Sequence, residues 1–439
     1  RLIGNVDSTI NYQLSTVHCL KGIRILNIFR DIEPQRRRSL LTLFTTGLLF
    51  WSSLASLLPT LPLYVQYVGG TKQEIGFVMG AFAIGLLLSR PQLGKIADTN
   101  GRKQVLLLGA LVAAIAPLGY LFVKSIPLLL CIRAFHGISI AAFTTAYSAL
   151  VADLSPSGKR GELIGYMSLV NPIGLAFGPA MGGFLQAWVG YTPLFAMSAA
   201  LAAMAVFFTL QVTEPDFAEL AETESLSQDK NSKNYWQMLW NPRVRIPALV
   251  LLQIGLVFGT LSTFMPLFVQ ETKVDFNAGL FYSTAAIASF AMRLATGRAS
   301  DKYGRGLFIS GGLIFYAASM LLLYIANSPS AFLIAALLEG VAGGTVLPMM
   351  VTLMSDRCEP QERGRLFSLC IGGFDLGIAL AGPILGFVAE QVGYRNMFGL
   401  AGGLAGLALV IFITQSSKTL SDSLKFAIGR GKDVYALNK

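Results

Sequence analysis

Ionisable side chains inside long apolar runs are the first residues of this 439-residue chain that call for a chemical role. Arg133 and His136 stand three apart in CIRAFHGIS, Glu339 lies in ALLEGVAGG and Asp375 in GGFDLGIAL. A charged group in hydrocarbon is costly and usually functional. A carboxyl in a dry site can take up and release protons near neutral pH, and a neighbouring guanidinium opposes the uptake. Glu339 is therefore read as the principal proton carrier and Asp375 as the second candidate, with Arg133 as the cation that tunes the balance. The plainer alternative is that one acid pairs with Arg133 or caps a broken helix.

Other chemistries find little support. The cysteines Cys19, Cys131, Cys358 and Cys370 have no zinc-ligand spacing, and His18 and His136 are too few for a metal site. There is no nucleophile–base arrangement and no phosphate loop, so no enzyme activity, catalytic residue, metal or cofactor is expected.

The elements that must hold these groups follow from composition. The chain is 54% hydrophobic and only 13% charged, about half the charged fraction of an ordinary soluble domain. The formal charge of +10 is spread in short clusters between apolar runs, which points to anionic lipid headgroups and not to nucleic acid. A membrane-spanning helix needs roughly 20 apolar residues. Twelve such runs are predicted, at about 40–67, 74–93, 104–123, 127–151, 163–187, 192–212, 246–270, 277–296, 306–326, 330–354, 365–388 and 394–414. With both termini in the cytoplasm, the outer loops hold Lys72, Lys124, Lys273 and Arg395, and nearly all other cations fall inside. The expected organisation is a cytoplasmic tail (1–38), a six-helix bundle (39–212), a cytoplasmic linker (213–244), a second bundle (245–415) and a cytoplasmic tail (416–439).

The two halves repeat. Gly94, Asp98, Gly101 and Arg102 recur as Gly297, Asp301, Gly304 and Arg305, each 203 positions later. Arg90 and Arg293 share that offset, as do Gly137 and Gly340, and Asp153 and Asp356. The runs PLYVQ (62–66) and PLFVQ (266–270) match at 204, as do Gly178-Pro179 and Gly382-Pro383. A constant offset over a whole half implies a parallel duplication, with a cavity on the axis between the bundles.

On these residues the chain resembles the major facilitator superfamily over about 40–415. GKIADTNGRK (94–103) is similar to the superfamily's signature loop, and RAFHG (133–137) to its R-x-x-x-G motif. GLAFGPAMGG (174–183) resembles the span-5 motif of the drug/proton antiporter branch. The resemblance implies an all-α polytopic membrane protein with twelve helices in two pseudo-symmetric six-helix bundles. It implies that Gly94, Asp98, Gly101, Arg102 and Lys103, with Gly297, Asp301, Gly304 and Arg305, form cytoplasmic gating loops. Gly94 and Gly101 would permit close approach and positive φ, Asp98 would accept from helix N-termini, and Arg102 and Lys103 would pair with Asp98 or with lipid phosphate.

In span 5, Gly174, Gly178 and Gly182 share a face with Asn171 and allow a neighbouring helix to approach. Gly183 completes the motif, and Pro172 and Pro179 permit bending. By analogy with the family, spans 1, 4, 7 and 10 line the cavity, which would bring Arg133, His136 and Glu339 to it. Asn171, Trp51 and Tyr64 are further cavity candidates; packing against lipid or protein is the alternative for Trp51. The expected function is proton-coupled efflux of a small organic molecule by a monomer in the cell membrane. Span 1 carries no acid, which departs from many multidrug members and keeps uptake of a sugar or organic anion open. A membrane enzyme or receptor on the same scaffold is the remote third reading.

Overall fold

The computed structural model describes residues 32–156, 160–214, 240–358 and 363–437. All its regular structure is helical among the described residues. In lipid a helix satisfies its own backbone groups within one segment, which suits continuous apolar runs of this length. The membrane helices are α1 (Pro34–Tyr67), α2 (Lys72–Asn100), α3 (Arg102–Phe122), α4 (Ile126–Leu154), α5 (Glu162–Val189), α6 (Tyr191–Leu210), α7 (Pro242–Thr272), α8 (Ala278–Gly297, continuing to Tyr303), α9 (Arg305–Ile325) and α10 (Pro329–Asp356). The helix Arg363–Gln415 is broken at Gly393, whose φ of 79° lies in the left-handed region, and this divides it into α11 and α12. A short helix, α13 (Leu420–Ala427), follows.

Prolines account for the interruptions. α1 is interrupted between Ser56 and Leu61, where Pro59 has no N–H and Pro62 opens the second piece. α5 is interrupted at Ser168–Leu169. Pro172 is four residues beyond Ser168 and cannot donate to its carbonyl, so the break falls one turn before the proline. Pro179, by contrast, sits inside a continuous stretch of helix.

The helices form two bundles with matching neighbours. α4 packs on α2 and α3, and α10 on α8 and α9; α1 packs on α5, and α7 on α11; α3 packs on α6, and α9 on α12. The bundles meet along two seams, α2 with α11 and α5 with α8. The turns after α2 and α8 lie at the end where α1 begins and α12 stops, here termed the basic end. Most of the expected linker, 215–239, lies outside the described residues.

Candidate functional site

The two seams are tightest at the end opposite the basic end. A Cβ on Gly76 of α2 would overlap the carbonyl of Gly382 in α11, and one on Gly382 would overlap Gly76 in return. One turn further, Gly80 lies against Ala379 and Pro383. On the second seam Gly279 of α8 lies against the Pro179 carbonyl, and Gly183 against the Asn277 side chain. Polar ties add to this closure. Lys72 Nζ lies 3.6 Å from a Glu271 carboxylate oxygen and donates to the Ala389 carbonyl at 3.4 Å. The Gln73 N–H donates to Glu390 at 3.2 Å. A pocket of about 370 Å³ remains between the halves here, bordered by Thr60, Gln186, Tyr191, Gln270 and Lys273.

Toward the basic end the same glycine test gives the reverse result. Gly94, Gly297 and Gly372 have no heavy atom within 4 Å of a Cβ position. Among the described residues an ion pair crosses between the halves on this side of the seam: Arg90 Nη1 of α2 donates to Asp375 Oδ2 of α11 at 2.9 Å.

The signature segments are less loop-like than the sequence suggests. α2 runs to Asn100 and α3 starts at Arg102, so Gly101 alone forms the turn, at φ 102°. Gly304 repeats this between α8 and α9 at φ 87°. Gly94 and Gly297 are helical, so the positive φ expected at Gly94 is absent. Asp98 is exposed and has no bonded partner among the described residues. The expected pairing of Arg102 with Asp98 is replaced by an ion pair with Asp153 at the end of α4.

The duplicate follows suit, with Arg305 on Asp356. Asp98 points away because it lies on the last turn of α2, whereas Arg102 reaches the inner end of α4 beside it. The α3 N-terminus is instead served by Glu214, just past α6, whose carboxylate accepts from the N–H groups of Arg102 (2.6 Å) and Lys103 (3.3 Å). Lys103 Nζ donates to the Leu210 carbonyl at 2.9 Å. The side chain of Asp301 lies outside the described residues.

The intramembrane ionisable groups also sit differently from the expectation. Arg133, His136 and Glu339 are only 7%, 1% and 6% exposed. They are packed inside their own bundles and do not line an open wall. The Arg133 guanidinium lies 4.3 Å from the ring centre of Phe82 on α2, a cation–π contact. His136 Nδ1 and the Tyr120 hydroxyl of α3 are 3.2 Å apart.

Glu339 occupies the corresponding position in the other bundle. Its Oε1 and the Tyr316 hydroxyl of α9 lie 3.6 and 3.1 Å from the Cβ position of Gly343. Glu339 has no ion pair or hydrogen bond among the described residues. Glu339 and Arg133 are buried in different halves and are not paired with each other in this structure.

Tyr64 is buried as well, and its hydroxyl donates to the carbonyls of Tyr120 (2.9 Å) and Val123 (3.0 Å). It anchors the α3–α4 connection and is not a cavity residue. Trp51 and Asn171 are partly buried, and Trp51 packs over Gly174. The partner of the span-5 glycine stripe is α1: Gly174 meets Trp51 and Ser52, Gly178 meets Ala55, and Gly182 overlies the Ser56 backbone. Sequence reading missed Arg90, Asp153, Asp356 and Glu214 as site residues. The first three had a usable signal, because the repeat offset already marks them.

Comparison with known proteins supplies the family. The model of the Major Facilitator Superfamily matches residues 43–306 and 274–428. A multidrug resistance protein MdtG of Klebsiella pneumoniae (strain 342) is 28% identical over 373 residues, covering 82% of this chain and 88% of the relative. A multi-drug resistance efflux pump PmrA homolog of Lactococcus lactis subsp. lactis (strain IL1403) is 27% identical over 355 residues, covering 78% and 86%. The crystal structure of the nucleoside transporter NupG superposes with a TM-score of 0.73 at 16% identity, covering 85% of this chain and 99% of that one. A bacterial homolog of the lysosomal transporter Spinster, in an inward-facing and unoccupied conformation, gives 0.68 at 14% identity, covering 90% and 97%. Twelve helices in two duplicated bundles, the signature turns and these matches agree: the chain belongs to the Major Facilitator Superfamily and is a multi-pass membrane transporter.

Proposed function

We propose that this transporter exports a small organic molecule in exchange for protons, by alternating access, as a monomer in the cell membrane with its basic end and both termini in the cytoplasm. The carboxyl of Glu339 is the observation that carries the coupling. It is buried in the C-terminal bundle, and no cation or hydrogen-bond donor is bonded to it among the described residues. A buried charge of this kind is costly in its ionised form unless it is compensated, so its proton occupancy responds to the arrangement of the helices around it. Packing of the halves at the opposite end, with no heavy atom near the Cβ positions of Gly94 and Gly297 at the other, supports reading this conformation as the cytoplasm-open one of two alternating states.

Arg90 and Asp375 form the tie between the halves that substrate or a proton on Asp375 releases. Arg133, held by Phe82, is the fixed cation of the N-terminal bundle. In the alternate state Asp98 and Asp301 serve as the cytoplasmic clamp. Export is supported by the relatives named as multidrug resistance proteins. A small-molecule uptake symporter or facilitator is the second reading, favoured by the absence of any acid in α1.

The test is dye flux in proteoliposomes under an imposed pH gradient. Wild type should move dye against its gradient. Glu339→Gln should retain dye-for-dye exchange and lose the response to the proton gradient. A Glu339→Gln protein that still accumulates dye in response to pH refutes the assignment.

A further inference from the structure

The segment after α12 is fixed against the C-terminal bundle. α13 begins at Thr419, whose hydroxyl oxygen accepts the Asp422 N–H at 3.2 Å. Ser423, Phe426 and Ala427 are buried beneath α9 and α12, with the Phe426 ring 6.0 Å from that of Phe412. Gly429, at φ 74°, turns the chain back. Asp433 then grips Arg357 with two bonds of 2.6 and 2.9 Å, and that guanidinium also donates to the carbonyls of Arg243 and Ser416. The segment also braces the α8–α9 turn. Gly306 leaves room for the Phe426 carbonyl, and a Cβ on Gly304 would touch Gly429.

The other face of α13 has no partner among the described residues. Leu420, Leu424 and Ile428 recur every four residues and are 57%, 43% and 52% exposed, one stripe along a single face. Lys418, Lys425, Arg430 and Lys432 are exposed around it and are in no ion pair among the described residues. The nearby acids are engaged elsewhere, Asp422 with Thr419 and Asp433 with Arg357. The apolar stripe continues onto Leu307 at the basic end of α9, which is exposed and lies 3.2 Å from the Gly429 Cβ position.

We propose that residues 418–432 form a binding plate for anionic membrane lipid. Leu420, Leu424 and Ile428 enter the boundary of the acyl region, and Lys418, Lys425, Arg430 and Lys432 lie on headgroup phosphates. An amphipathic helix with a polar, cationic rim lies in that plane. Continuity with a membrane helix selects lipid over a soluble partner. Because the plate holds the α8–α9 turn, lipid occupancy also stiffens the C-terminal copy of the signature turn.

The experiment is hydrogen exchange on the full chain in nanodiscs of phosphatidylcholine alone or mixed with phosphatidylglycerol. Exchange of 418–432 should slow with the anionic lipid, by about fivefold for each cation that meets the charged surface. Lys425→Glu with Arg430→Glu should remove the difference between lipids, while α9 and α12 keep their protection. Leu424→Asp should speed exchange in both discs. Equal exchange of the wild-type segment in the two discs overturns the proposal. So does a lipid difference that survives the double charge reversal, or protection that arises only when a soluble protein is added.

Discussion

The signature turn occurs twice in this molecule, and its two copies have kept the same ion pair in different surroundings. In the N-terminal bundle the side chains of Arg102 and Asp153 are 7% and 6% exposed. In the C-terminal bundle those of Arg305 and Asp356 are 20% and 38% exposed. The N-terminal copy has a carboxylate, Glu214, on the first N–H groups of α3. The C-terminal copy is braced by α13 and the turn at Gly429. Duplication thus preserved the contact that fixes the turn, while the flanking segments determine how much water reaches it. Solvent exposure separates the copies: removing one partner leaves an uncompensated buried charge where the pair is dry and costs little where it is wet.

This difference can be broken most directly at Arg102. Removing one partner of a buried ion pair costs about 3–5 kcal/mol, so Arg102→Ala should cut the yield of folded protein and lower its melting temperature more than any other single change at the turns. Thermal unfolding in detergent, followed by intrinsic fluorescence, reads this out. A melting temperature equal to wild type would show that the N-terminal pair is as dispensable as an exposed one.

Gly76→Ala comes next, because it loads the seam and leaves both turns intact. Its Cβ would overlap the Gly382 carbonyl, and overpacking costs about 1–3 kcal/mol. The cost falls on the conformation sealed at the opposite end. Distance measurements between spin labels on α2 and α11 at that end should therefore shift toward the longer separation. An unchanged distribution would mean that the seam yields without cost.

Much of this was legible in the sequence, and the parts that were not share a cause. Twelve runs, two bundles and a close helix approach along span 5 followed from hydropathy, offset and the glycine stripe, because each is set by local spacing; that the approaching helix is α1 did not follow. The pairing of Arg102 was misread as Asp98 because both lie in one decapeptide, while Asp153 is distant in sequence and close only once α3 and α4 pack. His136 and Glu339 stand 203 positions apart, the repeat offset, yet their burial depends on which neighbours fill the bundle. Tyr120 and Tyr316 supply that filling, and they are not counterparts under the repeat. Glu214 falls in the stretch read as a cytoplasmic linker, 213–244. Its role as a cap exists only because α6 ends beside the start of α3.

Glu214→Ala tests that cap. It removes the carboxylate that serves two N–H groups at a helix terminus, where a side-chain cap is worth about 1 kcal/mol. A modest fall in melting temperature is expected, together with faster hydrogen exchange confined to the first turn of α3. Faster exchange at α9 to the same degree would show that the two turns communicate and are not independently supported.

The smallest effect is expected at Arg305. Water reaches its pair with Asp356, and ion pairs of that kind contribute about 0.2–1 kcal/mol. The surrounding turn keeps its other supports in Arg305→Ala, since Gly304 still adopts its positive φ and Phe426 still packs against Gly306. Melting should therefore move far less than in Arg102→Ala. Combining Arg305→Ala with Asp433→Asn, which loosens the brace through Arg357, should give a loss larger than the sum of the two single changes. Strict additivity would separate the brace from the turn, whereas an Arg305→Ala loss as large as that of Arg102→Ala would mean that water exposure does not set the strength of the duplicated pair.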